Sequence, residues 1–190
     1  MHVHEAIQKR RSIRKFAQKP VNHEYLVTLV DQARMAASAA NQQPLKYAVL
    51  DDRKLVEKIF PCVKWAGYLP EWNPTPTEAP PAYIAVFGDT ALKNSFEVDA
   101  GAAITTMMLS AVEMGLATCW LGAIDRAALA GLLGFDSSLH LLYLLAVGYP
   151  DQKGKPCPME SNDCKYFFDE RGTLCVPKRG LSSILITLPK

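Results

Sequence analysis

An α+β fold, a central mixed sheet with helices packed around it, is the class this sequence predicts, and three observations predict it. Of the 190 residues, 49% are hydrophobic and 21% charged, the balance of a chain that buries a core. Helical periodicity and short β-branched or aromatic runs both occur along the chain. They follow one another without regular βαβ spacing, which argues against a doubly wound sheet. With no internal repeat, low-complexity block or long linker, residues 1–190 read as a single domain.

Residues 3–10 begin with a short helix, followed by an extended stretch from Arg11 to Phe16. Over 23–37 the apolar positions Leu26, Leu29, Val30, Ala33 and Ala37 keep i, i+3, i+4, i+7 spacing, so an amphipathic helix is expected. Tyr47–Leu50 predicts a short strand, Arg53–Ile59 a helix, and Tyr83–Phe87 a second strand. Between these, the five prolines of 68–81 (Pro70, Pro74, Pro76, Pro80, Pro81) forbid a helix or a central strand. A loop of this length points to function, with Trp72 and Asn73 as its substrate-contacting residues; the alternative is a surface loop pinned by one buried Trp.

The longest helix is expected over Asn94–Gly115, capped by Asn94 or Ser95 and closed by Gly115 in the left-handed conformation. Its middle, Ala100–Leu109, has no polar stripe, so it must be buried nearly all round. That places it at a subunit interface as well as in the core, or at the centre of a monomer. Leu116–Ile124 is an extended apolar run. Asp125 then caps a helix through Leu133, and Leu139–Val147 reads as a strand buried on both faces, ended by Gly148-Tyr149-Pro150.

Several function classes are disfavoured. A net charge of +2 and a pI near 8.2, with basic residues spread along the chain, give no reason to expect a nucleic-acid partner. No segment reads as a signal peptide or a membrane span, so a cytoplasmic protein is expected, with its five cysteines reduced. Cys157, Cys164 and Cys175 match no zinc spacing, and no metal site is expected. GxGxxG, GxxxxGK[ST], GxSxG and HExxH are all missing, and the four histidines stand without a paired carboxylate at telling distance.

What remains is a set of cationic and neutral hydrogen-bonding groups. Arg10, Arg11 and Arg14 fall within five residues, with Ser12 between them. In an extended segment Arg10, Ser12 and Arg14 share one face, suited to a phosphorylated or planar anion; the plainer reading is a solvated basic surface. Ala37–Pro44 offers the Ser38 hydroxyl and the Asn41 and Gln43 amides, which match the edge of a heterocycle, or is an ordinary helix-to-strand loop. In Trp120-Leu121-Gly122-Ala123 the glycine lets backbone approach a flat ligand. Lys178-Arg179 alone is a charged tail.

Taken in order, Arg10-Arg11-Ser12-Ile13-Arg14-x-Phe16, Ser38-Ala39-Ala40-Asn41-x-Gln43-Pro44, Gly115 to Gly122 and Val147-Gly148-Tyr149-Pro150 resemble the nitroreductase family of FMN enzymes. The resemblance spans about residues 4–150, and Val176-Pro177-Lys178-Arg179 resembles a family tail. It implies an intertwined homodimer with two FMN sites at the subunit interface. Arg10, Arg11, Ser12 and Arg14 would then bind the phosphate and pyrimidine side. Ser38, Ala39 and Asn41 would reach the flavin from the partner subunit, with Gln43 nearby. Trp120, Leu121 and Gly122 would lie against the ring, with a backbone N–H towards N5, and Lys178 and Arg179 would complete the phosphate cage. The implied activity is hydride uptake from NADH or NADPH and reduction of a nitroaromatic, quinone or enone acceptor. No catalytic side chain is required, because the flavin carries the chemistry. Reductive dehalogenation, flavin modification and flavin binding without turnover are the alternatives. Two departures bear on the branch: Trp120-Leu121-Gly122 stands where some members carry an acidic residue, and the 150–177 region is longer than in the most compact members.

Overall fold

Apolar runs and helix signals assemble as follows in a computed structural model that describes residues 1–69 and 72–188. In chain order the elements are α1 (Val3–Lys9), α2 (His23–Ala33), β1 (Leu45–Leu50), α3 (Arg53–Ile59), β2 (Ala82–Asp89), α4 (Glu97–Glu113), β3 (Ala117–Leu121), α5 (Arg126–Leu133), β4 (Leu139–Gly148), β5 (Gly154–Pro158), β6 (Phe167–Phe168) and β7 (Leu174–Lys178). Pro70 and Glu71 of the proline-rich loop lie outside the described residues.

The main sheet has the order β1-β2-β4-β3, with antiparallel pairing throughout. The sheet is thus antiparallel rather than mixed as expected, and one isolated parallel bridge, Ser12 to Thr118, lays the arginine segment beside the β3 edge. Along β2, alternate residues face opposite layers. Ile84 and Val86 meet Leu26 and Leu29 of α2 and Ile104 and Met107 of α4. Tyr83, Ala85 and Phe87 meet Val56 and Ile59 of α3, Leu129 of α5 and Trp65. Both faces are covered, which is why β2 and β4 read as nearly continuous apolar runs.

Local signals set several element ends. Asn22, Asp52 and Asp125 each accept a backbone N–H in the first turn of α2, α3 and α5. Gly115 closes α4 at φ 72°, as its position predicts. The start of α4 differs from expectation. Phe96 occupies the N-cap without a side-chain bond, and the Glu97 carboxylate accepts from the Phe96 N–H and the Ser95 hydroxyl instead. An anion at the positive end of the helix replaces the expected Asn94 or Ser95 cap.

The α4 surface is also less enclosed than its composition predicts. Ala100, Ala103, Ile104, Met107 and Ala111 are buried, but Val98 is 79% exposed and Thr105 is exposed. One side of α4, with Val98 and Thr105, therefore faces outward in the single chain.

A second sheet, β5-β7-β6, follows the main one, with β5 and β7 parallel. Its Gly154 lies against Arg11 and Ile13. At the end of β4, a Cβ on Gly148 would come within 2.6 Å of the Pro81 ring and 2.8 Å of the Phe16 ring. Gly148→Ala should therefore destabilise the protein by about 1–3 kcal/mol, the usual cost of forcing atoms into a filled core. Urea unfolding with an unchanged midpoint would show that the two rings give way freely.

Candidate functional site

The segment after α1 is held rigidly at both ends. Ile13 N–H donates to Thr118 O at 3.0 Å, Phe16 N–H to Glu78 O at 2.9 Å and Ala17 N–H to Tyr149 O at 2.9 Å. Arg11 and Ile13 both pack over Gly154 and so share one face. Arg11 points inward and is 7% exposed; its guanidinium donates to Gln8 O at 2.9 Å and to Arg10 O, closing the C-terminus of α1. Burial, and then the neighbouring Arg10 charge, lower the Arg11 pKa.

Arg14 lies over the Tyr166 ring, 4.7 Å from its centroid, while its backbone N–H donates to Gln152 Oε1 at 3.0 Å. Among the described residues, none of Arg10, Arg11 and Arg14 is ion-paired. Arg11 Nε, Arg14 Nε and Gln152 Nε2 are buried donors with no hydrogen-bond partner. Buried donors of this kind are costly, and the unpartnered Arg14 Nε and Gln152 Nε2 side by side suit an anion or a ring carbonyl. The set fits a phosphorylated cofactor whose ring has carbonyl acceptors.

The Ser38–Gln43 loop sits elsewhere. Ser38 Oγ donates to Asp99 Oδ1 at 2.6 Å and accepts the Gln43 N–H at 2.9 Å, and the Ala39 N–H reaches the same carboxylate oxygen at 3.2 Å. Asp99 Oδ2 receives Lys93 Nζ at 2.5 Å. Burial alone would raise the Asp99 pKa, but the Lys93, Ser38 and Ala39 donors together hold it below its ordinary value. Three residues of the loop, Ala40, Asn41 and Gln43, have φ of 50°, 53° and 48°. Ala40 and Gln43 in this region each cost about 1–2 kcal/mol, Asn41 less, so the loop keeps this shape because its surroundings impose it. Gln43 Nε2 donates to Asn41 Oδ1 at 3.1 Å and to Asn41 O at 3.2 Å, so the Asn41 amino group and the Gln43 carbonyl lie on exposed residues without a hydrogen-bond partner among the described residues.

This loop leads into β1, while the arginine segment runs beside β3, the opposite edge of the sheet. Three strand spacings separate the edges, about 14 Å. The register adds to this: Leu45 is level with Gly88, whereas Thr118 is level, through Val147, with Ala82, about 20 Å away along the strands. Within one chain the two groups occupy opposite corners.

Of the third group, Trp120 packs edge-on against Tyr143, with centroids 5.1 Å apart, on the α4 side. Leu121 is 3% exposed, with its side chain held in the α3/α5 core. Gly122 is exposed. A cavity of about 560 Å³ adjoins it, lined by Ala123, Val63, Trp65, Asn73 and Pro74 among others. Asn73 thus lines a cavity, whereas Trp72 neither covers it nor sits as a buried pin. Its half-buried ring packs 5.1 Å from Phe168 with Lys15 Nζ 4.8 Å above it. Lys178 and Arg179 stand at the far end of β7 from the Gly154–Leu174 pair that adjoins Arg11; Arg179 donates to Asn162 Oδ1 at 2.7 Å.

Sequence reasoning missed Asp99, Lys93, Gln152 and Tyr166. Asp99 did leave a signal, as the lone carboxylate in the apolar stretch Val98–Leu109. Gln152 and Tyr166 left none, because only the fold brings them to Arg14.

A sequence model of the nitroreductase family matches residues 7–149. A presumed NADH dehydrogenase/NAD(P)H nitroreductase of Archaeoglobus fulgidus is 30% identical over 156 residues, covering 77% of this chain and 85% of that one. An iodotyrosine deiodinase of Thermotoga neapolitana is 25% identical, covering 86% and 97%. The fold matches that of a presumed nitroreductase of Desulfovibrio desulfuricans in complex with FMN, at a TM-score of 0.74 and 24% identity over 100% and 98% of the two chains. The chain is an oxidoreductase and belongs to the nitroreductase family.

Proposed function

We propose that the protein is an FMN-dependent homodimer that takes hydride from NADH or NADPH and reduces nitroaromatic, quinone or enone acceptors. The observation that carries this reading is the pair of buried donors at Arg14, its own Nε and Gln152 Nε2, which have no hydrogen-bond partner among the described residues, beside an arginine with no carboxylate partner there. Arg10, Ser12 and Arg14 would hold the phosphate and pyrimidine side, while Lys178 and Arg179 would approach the phosphate. Bound FMN would supply the two-electron redox chemistry. An arginine fixed at the pyrimidine side stabilises negative charge there, and the exposed backbone at Gly122 leaves room for a flat ring.

Opposite corners of one chain cannot touch one ring, so the Ser38–Gln43 loop serves the site of a second copy. Exposed apolar surface supports the pairing. Val98 on α4, Val3 on α1, and Leu181, Ile184, Leu185, Ile186 and Leu188 near the C-terminus are all more than 60% exposed. The cavity beside Ala123 is of the size that holds one drug-sized molecule and would receive the electron acceptor.

The deiodinase relative favours a second reading, in which the same site performs reductive dehalogenation. One experiment separates the two. The purified protein should be yellow, with flavin absorption that bleaches when NADH or NADPH is added without oxygen. A colourless protein that does not take up FMN would sink both readings. A yellow protein left oxidised by both nicotinamides would favour dehalogenation, flavin modification or flavin binding without turnover.

A further inference from the structure

We propose that Asp99 is a positioning residue that acts across the subunit boundary, fixing the Ser38–Gln43 loop of its own chain for the flavin held by its partner. This rests on the shared-site reading above. The argument starts from a contrast in burial: Asp99 is 3% exposed, whereas Ala39, Ala40, Asn41, Gln42 and Gln43 are all exposed. An exposed loop ordinarily relaxes to favoured backbone angles. This one holds three non-glycine residues in the left-handed region, which requires an anchor outside the loop.

The anchor is a single carboxylate. One oxygen takes the Ser38 hydroxyl and the Ala39 N–H, and the other takes Lys93. Ser38 then passes the constraint on by accepting the Gln43 N–H, so both ends of the bend are tied to one group on α4. The Ser38 hydroxyl proton is committed to Asp99 and is not available to a flavin. The loop's outward groups are the Asn41 amino group, the Gln43 carbonyl and the backbone at Ala40. Ser38 is thereby a relay between Asp99 and these groups, a role different from the ligand role the sequence suggests.

The test uses two differently tagged chains and FMN as the probe. Asp99→Ala and Arg14→Ala homodimers should each bind FMN roughly tenfold or more weakly than the wild type, the scale of losing hydrogen bonds to a charged group. In a heterodimer of the two variants, one site combines both defects and the other combines an intact Arg14 with an intact loop. That heterodimer should bind one FMN per dimer with wild-type affinity and recover the wild-type visible spectrum at that site. General loosening of the fold would not produce such recovery.

A heterodimer weak at both sites would overturn the proposal, since Asp99 would then serve its own chain's site. Wild-type affinity in the Asp99→Ala homodimer would overturn it as well. Should Asp99→Ala fail to fold, Ser38→Ala keeps the Lys93–Asp99 pair and should give the same recovery from a smaller loss. A wild-type protein that is monomeric or binds no FMN would fail at the underlying reading, and is distinguished before any variant is made.

Discussion

Phe16→Ala should lower the stability of the protein by about 3–5 kcal/mol, the range for truncating a fully buried aromatic. Phe16 has 0% exposure and lies against the Cα of Gly148, and its backbone pairs with Glu78 and Pro150. Removing the ring leaves a cavity between the arginine segment and the end of β4, walled by two prolines and a strand that have little freedom to collapse. For a chain of this length the melting temperature should fall by roughly 6–20 °C. Differential scanning calorimetry or urea unfolding measures this, and a loss under 1 kcal/mol would mean that Pro81 and Pro150 move in to fill the gap. The consequence reaches the site, because Phe16 sits two residues from Arg14 and fixes the path of the whole segment.

Arg14→Ala should weaken FMN binding by about 1.5–3 kcal/mol, roughly 10- to 150-fold in Kd. Arg14 has no acidic partner among the described residues; its side chain meets a stacking ring and a distant backbone carbonyl, with Nε left unpaired. Its truncation therefore removes no structural ion pair, and stability should change far less than affinity. Flavin fluorescence titration gives the affinity and the melting curve gives the stability. Equal losses in both would assign Arg14 to the fold, and unchanged affinity would remove it from the site.

How much of this was legible in the sequence varies with the range of the interactions involved. Helix α3 and the cap at Asp125 were readable because their determinants lie within four residues of each other. Helix α2 ends at Ala33, four residues before its apolar pattern stops, and Ser38 beyond it is extended and tied to Asp99, 61 residues away. No local pattern carries that contact. The β5-β7-β6 sheet was also hidden: Pro156, Pro158 and Pro177 argue against strands. They are tolerated because β5 is an edge strand and Pro177 falls near the end of β7.

The site shows the same division. Arginine and serine in an extended segment were enough to single the segment out, and the fold then turns Arg11 inward and sets Arg14 on Tyr166. The aromatic cover was not: Tyr166 over Arg14 and Phe168 against Trp72 come from a lobe more than 90 residues further along the chain. Composition marked the 68–81 loop as unusual, but only the fold assigns Asn73 to a cavity and Trp72 to a joint between segments.

The placement of the two binding groups at opposite corners of one sheet has a consequence for mass action. A ligand that needs both corners binds the pair of chains and not the single chain, so each bound flavin adds to the free energy of association. Cofactor and partner are then linked: dilution should strip flavin as it separates the chains, and excess flavin should hold the chains together.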